Sequence, residues 1–202
     1  MKHGTSLLLV ITLLLVTVFV SSCLFPEKFE AKININKNGT YSFVYDGILT
    51  YVLAKAAEVE QGKLSKKDER EIRKELEKEF LKDPNFKKVK YIGHGQFKVL
   101  YKREGTLNSP MYFLSSDMNI ISIIPLRDGK VEIKGMKLNR KDIRQLKELK
   151  MKIDGKLKVT TNAKVIKHNA KSTPKLFGLL GSYIWQIKSI TDPAPYMLIQ
   201  LR

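Results

Sequence analysis

The residue whose chemistry stands out in this chain is Cys23, the only cysteine among 202 residues. A thiol can form a disulfide, ligate a metal ion, act as a nucleophile or carry a lipid. A disulfide within the chain is excluded because it needs a second cysteine. A metal site is not favoured, because the sequence has no Cys-x-x-Cys or His-x-x-x-His spacing.

The segment before Cys23 indicates what the thiol is used for. Met1-Lys2-His3 is a short basic start, residues 7–20 are almost uninterruptedly apolar, and Ser21 and Ser22 are small. These are the three parts of a secretory signal. The apolar run is shorter than the roughly 20 residues that span a bilayer, which makes an uncleaved signal-anchor helix the weaker alternative.

The tetrapeptide Val20-Ser21-Ser22-Cys23 resembles a bacterial lipobox. The resemblance implies a signal peptide over residues 1–22, cleavage between Ser22 and Cys23, and a diacylated Cys23 followed by a lipidated tether over residues 23–30. Two acyl chains attach a protein durably, at ~0.8 kcal/mol per buried methylene group. The alternative is an unmodified, buried cysteine. We expect lipid anchoring to the bacterial cell membrane or outer membrane, with the domain on the exported side.

The charge of the chain favours anionic partners. It has 37 Lys+Arg against 20 Asp+Glu, and the leader contributes one of these cations, Lys2, and no anion, so +16 remains after cleavage. Such a surface attracts anionic lipids or envelope polymers, at ~1 kcal/mol per basic residue near an anionic membrane. The alternative is that the lysines only solubilise the domain. Nucleic acid is not expected, because no nucleic-acid-binding motif accompanies the charge. Protein partners stay open.

Few residues could catalyse a reaction. His94 lies between two glycines, His168 precedes an asparagine, and Ser115-Ser116-Asp117 combines hydroxyls with a carboxylate. The sequence has no glycine-rich phosphate loop, no Gly-x-Ser-x-Gly and no His-Glu-x-x-His. The presence of these residues is explained equally well by their location in turns, where such residue types are common. We therefore expect a protein that is not an enzyme and uses no cofactor or metal.

One apolar loop is a candidate contact site. Residues 175–181 read Lys-Leu-Phe-Gly-Leu-Leu-Gly and follow Pro174. An apolar loop with basic neighbours can dip into a bilayer or gate a hydrophobic cavity. The alternative is a loop folded back over the core. The candidate membrane- or ligand-contacting residues are Leu176, Phe177, Leu179 and Leu180.

The elements that position these residues follow from the spacing of apolar side chains. Alternation over residues 31–45, interrupted by Asn38-Gly39, predicts a β-hairpin. Helical spacing from Ile48 to Val59 predicts a helix that ends at Gln61-Gly62. Ser65 and Asp68 have capping-box spacing and predict a second, charged helix through about Leu81.

Strands dominate the rest of the chain. Helical spacing of Ile143, Leu146 and Leu149, with Asn139 and Asp142 at capping spacing, predicts one more short helix from Asn139. The predicted strands cover residues 89–91, 97–101, 111–114, 120–125 and 130–134, one long strand at 156–167, and two final strands around 183–187 and 197–201. Strands and helices are clustered rather than alternating. This predicts a single α+β domain over residues 31–202, a mostly antiparallel sheet with two or three helices packed on it.

In the C-terminal third, residues 160–170 end in Asn169-Ala170, and the strand at 183–187 carries Trp185. This arrangement resembles the LppM-like domain of small bacterial lipoproteins. In that family a lipobox precedes an alternating strand, and a strand that ends near such a pair precedes a strand with a tryptophan. The chain departs from the family in its lysine content and at Ala170, where glycine is favoured. The resemblance implies an α+β lipoprotein domain with lipid or glycolipid ligands and no catalytic residues to carry over.

Two functions remain open on these grounds. The first is a non-enzymatic, membrane-anchored lipoprotein whose domain binds an anionic or lipidic component of the cell envelope. The second is a structural or assembly subunit of an envelope protein complex. The anchor and the charge support the first function, and nothing in the sequence identifies a ligand for either.

Overall fold

A computed structural model describes residues 24–116, 119–175 and 181–201, and they form an α+β fold, as predicted. Their helices are α1 (Val52–Gln61), α2 (Lys66–Phe80) and α3 (Arg140–Glu148), with one 3-10 turn at Arg127–Gly129. Their strands are β1 (Leu24–Ile35), β2 (Thr40–Tyr51), β3 (Phe86–Gly93), β4 (Gln96–Thr106), β5 (Met111–Leu114), β6 (Asn119–Pro125), β7 (Lys130–Gly135), β8 (Asp154–Thr161), β9 (Lys164–His168), β10 (Tyr183–Ile187) and β11 (Tyr196–Gln200).

The strands form two sheets rather than one. The six-stranded sheet has the order β10-β8-β1-β2-β4-β3, and the five-stranded sheet has the order β5-β6-β7-β11-β9. Neighbours are antiparallel apart from β1 and β8, which are parallel. Buried side chains from both sheets belong to one hydrophobic cluster, so the two sheets share a core.

The predicted hairpin at Asn38-Gly39 is confirmed. It joins β1 to β2, and Gly39 has φ of 85°, a conformation that glycine adopts without steric cost. The turn closes through a hydrogen bond from the amide of Asn36 to the carbonyl of Thr40, at 2.9 Å. Alternate residues of both strands are buried, which fixes the register because a one-residue slip would expose them all.

An aromatic cluster joins the two sheets. The ring of Phe113, on β5, lies 4.4 Å from that of Tyr45, 5.0 Å from that of Tyr101 and 5.4 Å from that of Phe43. All four side chains are essentially inaccessible to solvent. Aromatic pairs in such geometry add ~0.5–1.5 kcal/mol each beyond the area they bury. Phe113 is therefore the main aromatic contact of the short strand β5 with the six-stranded sheet.

The charged helix α2 forms where the capping signal predicts it. The amide of Asp68 donates to the hydroxyl of Ser65 at 3.1 Å, which satisfies one of the free amides of the first turn. Leu76 and Phe80 are buried, and the Phe80 ring packs at 5.4 Å from that of Phe97. The helix therefore packs its narrow apolar stripe against the core and leaves its charged face in solvent.

The helix predicted to begin at Ile48 starts later. Strand β2 continues to Tyr51, and α1 begins at Val52. Ile48 and Leu49 pair with residues of both β1 and β4, and Leu49 is fully buried. A central strand satisfies its backbone on both sides, which outweighs the local helical spacing.

The strand predicted over residues 156–167 is two strands in different sheets. β8 belongs to the six-stranded sheet and β9 to the five-stranded sheet. The chain turns at Asn162, whose side chain accepts from the amide of Lys37 at 2.7 Å, and at Ala163, whose amide donates to the hydroxyl of Thr161 at 3.0 Å. Polar turn residues inside an otherwise alternating stretch end the strand.

The predicted tether also differs from the structure. Residues 24–30 form the first part of β1, and Phe25 and Phe29 are buried. Residues 24–30 therefore belong to the folded domain and not to a tether. Pairing with β2 and burial of two aromatic side chains stabilise this segment as strand.

We expect Gly47→Ala to destabilise the domain by about 2 kcal/mol, because a Cβ there would lie 2.7 Å from the carbonyl oxygen of Lys28 and 2.9 Å from the Cα of Phe29. Gly105→Ala is the control, since its Cβ would meet nothing closer than a ring atom of Tyr41 at 3.3 Å. Chemical denaturation followed by the fluorescence of Trp185, the only tryptophan, measures both. Equal stability of the two variants would contradict the packing described here.

Candidate functional site

An apolar cavity of about 220 Å³ lies between the two sheets, near the end where β1 begins. Both sheets contribute to its wall, together with Ile143 of α3, Ile153 and two connecting segments, residues 136–138 and 189–195. The strand residues that line it are Pro26 and Phe29 of β1, Ile120 and Ile121 of β6, Gly135 of β7, Leu157 of β8 and Ile187 of β10. The lining is mostly aliphatic, which suits an apolar ligand.

The ring of Phe29 forms part of the cavity wall, and two glycines make room for it. The ring stacks on that of Tyr45, with centroids 5.3 Å apart and planes at 21°. A Cβ at Gly155, on β8, would collide with the edge of this ring, and one at Gly47 would collide with the Cβ of Phe29. Because neither glycine has a side chain, Phe29 can pack directly against the backbone of β2 and β8.

The outer wall of the cavity is a turn fixed by backbone hydrogen bonds. The carboxylate of Asp192 accepts from the amides of Lys188 and Ser189, at 2.7 and 3.1 Å. These bonds, led by that from Lys188, hold the pKa of Asp192 below its ordinary value. The amide of Gly135 donates to the carbonyl of Pro195 at 2.8 Å and ties the turn to β7. Hydrogen bonds within the chain thus hold this wall in place.

Asn169 ties the same wall to the five-stranded sheet. Its Oδ1 accepts from Nε1 of Trp185 at 2.7 Å and from the amide of Tyr196 at 2.8 Å, and its Nδ2 donates to the carbonyl of Ala194 at 2.8 Å. Asn169 and Trp185, which carry the sequence resemblance, are therefore in direct contact. Their contact is structural, because it links the end of β9 to the middle of β10 and the start of β11.

A basic groove adjoins the cavity and shares Ile153, Ser189 and Ile190 with it. Two carboxylates, Glu27 and Asp154, also line the groove. Its lysines are Lys28, Lys55, Lys147, Lys150, Lys152 and Lys188. Lys55 pairs with Glu58 at 3.0 Å and Lys188 with Asp154 at 2.5 Å, and in the described residues the other four have no carboxylate within ion-pair distance. This groove therefore carries excess positive charge.

Helix α3 and the segment that follows it carry three of the groove lysines, Lys147, Lys150 and Lys152. Its cap is a complete capping box between Asn139 and Asp142, as the spacing predicts. Leu146 and Met151 are buried against Phe25 in a small second cluster, which fixes the helix near the start of β1. Lys150 follows the helix with φ of 55°, a conformation in which glycine is the usual residue. The buried side of this segment thus holds its exposed lysines beside the cavity.

The site residues predicted from the sequence lie outside the described residues. This applies to Ser22 and Cys23, and also to the loop residues Leu176, Phe177, Leu179 and Leu180. The described chain starts next to Cys23: Leu24 pairs with Tyr51, and Pro26 lines the cavity. The predicted anchor point is therefore close in sequence to the cavity and the groove.

His94 contacts a carboxylate that is distant in the sequence. It occupies the turn between β3 and β4, and its Nδ1 lies 2.5 Å from Oε1 of Glu58 on α1, while its amide donates to the carboxylate of Glu69 on α2 at 3.0 Å. Burial raises the pKa of Glu58, but bonds from His94 and Lys55 outweigh it, so the pKa is lowered overall. His94 is exposed and joins both helices to the sheet.

The other candidate catalytic residues have local partners. Nδ1 of His168 accepts from the amide of Ala170 at 3.1 Å, and its ring packs edge-on against that of Tyr183. Asp117, of the predicted Ser115-Ser116-Asp117 group, lies outside the described residues. Within those residues no group of three or more His, Cys, Asp or Glu side chains has a geometry that could hold a metal ion. Nor does any helix there have the length and apolar character needed to cross a bilayer.

Comparison with known proteins finds a distant structural likeness. No family model and no curated protein matches the chain. Among solved structures, the NMR structure of the folded domain of the Mycobacterium tuberculosis LppM protein is similar, with 14% identity and a TM-score of 0.41. The alignment covers 89% of this chain and 90% of that one. At this distance the likeness assigns neither a family nor a function to the chain.

Sequence reasoning missed the cavity and the groove. Their residues come from strands, a helix and turns that are far apart in the chain, such as Pro26, Ile121 and Pro195. Locally, the two prolines of segment 192–195 indicate only a turn. The one local signal was the high number of lysines around α3, and many other segments of the sequence are also rich in lysine.

We expect Glu58→Gln to destabilise the protein at neutral pH and to cost progressively less below pH 4.5, the ordinary pKa of this carboxyl. The folded pKa is lowered, so the stabilisation is present above the unfolded pKa and is lost as the pH falls through the folded value. Denaturation at several pH values measures the difference. Glu71→Gln, at a side chain 61% exposed, is the control. A pH-independent effect of Glu58→Gln would contradict the role of its charge.

Proposed function

We propose that this protein is a lipid-anchored, non-enzymatic lipoprotein of the bacterial cell envelope whose domain binds an anionic amphiphile. The apolar part of the ligand would occupy the cavity, and its charged head would contact the lysines of the basic groove. The observation that carries the proposal is the direct adjacency of these two surfaces, which share Ile153, Ser189 and Ile190. Apolar and cationic surfaces side by side match the two halves of an amphiphile.

The size of the cavity favours a slender apolar group. An aliphatic cavity of ~150 Å³ stays dry and binds a molecule such as benzene. A volume of about 220 Å³ therefore suits a segment of one acyl chain or a small ring rather than a complete two-chain lipid. Each methylene group transferred from water contributes ~0.8 kcal/mol. A few buried methylene groups would give weak affinity, which the charged head would increase.

The groove supplies the cationic half of the site. Lys28, Lys147, Lys150 and Lys152 line it without a carboxylate partner in the described residues. Lysine binds phosphate and carboxylate groups as a compact point charge with three donors, and it does not impose the planar geometry of arginine. The groove therefore favours anionic heads without selecting one shape.

The anchor would place this site at the membrane. Cys23 precedes Pro26 by three residues, so their Cα atoms are at most ~11 Å apart. Acylation of Cys23 would hold the cavity within reach of the leaflet and keep the local concentration of lipid high. A strand that starts at Leu24 leaves no long linker, which would restrict the distance between domain and membrane.

The non-enzymatic part of the proposal rests on the roles of the polar groups. His94 and His168 are occupied by contacts that join elements of the fold, and neither lines the cavity. Asp192 does line the cavity, but its carboxylate is bonded to two backbone amides. These contacts support binding rather than proton transfer at the site.

Intact mass spectrometry of membrane-extracted protein tests the anchor. We expect a polypeptide that begins at Cys23 and carries acyl chains, because the lipobox resemblance implies cleavage and diacylation. A Cys23→Ala variant should keep the leader and lack the added mass. An unmodified, full-length wild-type protein would rule out the anchor, and it would leave the proposed binding by the cavity intact.

Quenching of Trp185 by a brominated single-chain fatty acid tests the cavity in the full chain, reconstituted in zwitterionic nanodiscs. Trp185 pairs with Leu157, which lines the cavity, so bound bromine should quench its emission saturably. Gly155→Ala should weaken binding about tenfold, or ~1.4 kcal/mol, by displacing the Phe29 ring into the cavity. Gly105→Ala should bind like the wild type. Unsaturable quenching, or equal binding by both variants, would rule out the cavity as the site.

Charge reversal separates the groove from the cavity. Lys150→Glu with Lys152→Glu should weaken binding of the brominated fatty acid about tenfold and leave binding of a brominated long-chain alcohol unchanged, because only the acid carries a charge. The control is Lys164→Glu with Lys167→Glu on β9, which makes the same change in net charge away from the groove. If both pairs weaken binding equally, net charge and not the groove attracts the ligand.

A further inference from the structure

The outer face of the six-stranded sheet is a second basic surface, separate from the cavity. On β1, β4 and β8 the residues that alternate with buried ones include six lysines, two on each strand, and three carboxylates, Glu30, Glu104 and Asp154. Strand β3 adds two more, Lys88 and Lys90, which pair with outward-facing residues of β4. Several lysines of this face, among them Lys88, Lys90, Lys102 and Lys156, have no carboxylate within ion-pair distance in the described residues.

The register places lysines opposite one another on neighbouring strands. Lys90 is the cross-strand partner of Lys98, and Lys32 is the partner of Lys158. Glu30 bonds both Lys32 and Lys158, at 3.3 and 2.9 Å, whereas Lys90 has no such partner in the described residues. Like charges directly opposite in a sheet destabilise it. Asp46 of β2 also lies on this face and bonds Lys98 at 2.6 Å. Eight lysines against four carboxylates leave the face with excess positive charge.

Aliphatic side chains occupy the middle of this face. Val44 and Ile48 of β2 and Leu100 of β4 are half-buried on the outer side, between the lysines of the flanking strands. Lysine stems add further apolar surface while their ammonium groups stay in water. Six strands at ~4.8 Å spacing make the face about 24 Å wide. The pattern is therefore a broad, slightly apolar surface on which cations outnumber anions.

A planar anionic partner fits this pattern better than a linear one. A linear polyanion would be matched by one continuous row of lysines, whereas here they are distributed over four strands in two dimensions. An anionic phospholipid surface offers negative head groups over an area and apolar groups just beneath them. The face also shares Lys28, Ile48 and Asp154 with the basic groove, at the end where β1 begins.

We propose that the outer face of the six-stranded sheet lies against the surface of an anionic phospholipid leaflet. This contact holds the domain flat on the membrane, with the start of β1 and the basic groove at the edge of the contact. The interaction does not depend on whether the cavity binds a ligand. It requires only that the chain is held at a membrane, by acyl chains or by its leader.

Lysine footprinting of the full chain in vesicles tests the contact. A water-soluble amine-acylating reagent is applied to protein in vesicles of phosphatidylcholine alone or with an equal part of phosphatidylglycerol, and modified peptides are quantified by mass spectrometry. Lys88, Lys102 and Lys156 should react about tenfold more slowly in the anionic vesicles at low salt, and protection should fall at high salt. Lys66 and Lys164, on α2 and β9, should change little.

Charge reversal on the face is compared with an equal charge reversal elsewhere on the domain. Lys88→Glu, Lys102→Glu and Lys156→Glu together should abolish protection of Lys32 and Lys98, whereas Lys66→Glu, Lys74→Glu and Lys164→Glu, with the same change in net charge, should preserve it. Emission of buried Trp185 reports whether each variant is folded. If the face variant fails to fold, the difference in the wild-type footprint between the two kinds of vesicle tests the proposal by itself.

Three outcomes would overturn the proposal. Equal reactivity of face lysines in both kinds of vesicle would exclude the contact. Protection of Lys66 and Lys164 as strong as that of Lys102 would show non-specific adsorption. Protection by soluble polyphosphate in zwitterionic vesicles, without protection in anionic ones, would assign the face to a polymer. Gly155→Ala should leave the footprint unchanged, so failure of the cavity proposal and failure of this one are distinguishable.

Discussion

The parallel pairing of β1 with β8 is the contact on which most of the structure depends. It joins residues 28–35 to residues 154–161, more than a hundred positions later, and completes the centre of the six-stranded sheet. It also brings Gly155 under the ring of Phe29, which shapes the cavity. Pairing such distant segments carries an entropy cost for closing the long loop between them. Burial of side chains such as Ile33 and Val159 offsets this cost.

The features proposed to act at a membrane meet at one end of this pairing. The cavity begins beside Pro26, the groove beside Lys28, and the outer sheet face shares residues with the groove. Helix α3 completes this end by packing Leu146 against Phe25. Because β1 follows Cys23 without a linker, an anchor there would act on all three surfaces at once.

Local signals in the sequence predicted many elements well. Asn38-Gly39 specified the hairpin, and the caps at Ser65 and Asn139 specified α2 and α3, because each is decided by backbone conformation and nearby hydrogen bonds. Prediction failed at Ile48 and at Asn162, where pairing with distant strands decides whether the chain continues, bends or changes sheet. Periodicity describes which residues can be buried together and not which partner buries them.

The sequence by itself determined the composition of the surface, the α+β class and the expectation of an acylated Cys23, because these depend on residue types and short spacings. The tertiary structure alone decided that lysines gather beside an apolar cavity and across one sheet face. Phe29, Ile121 and Pro195 become neighbours only when two sheets close on one core. The physical reason is that a cavity and a charged face are properties of non-local packing, which no window of sequence contains.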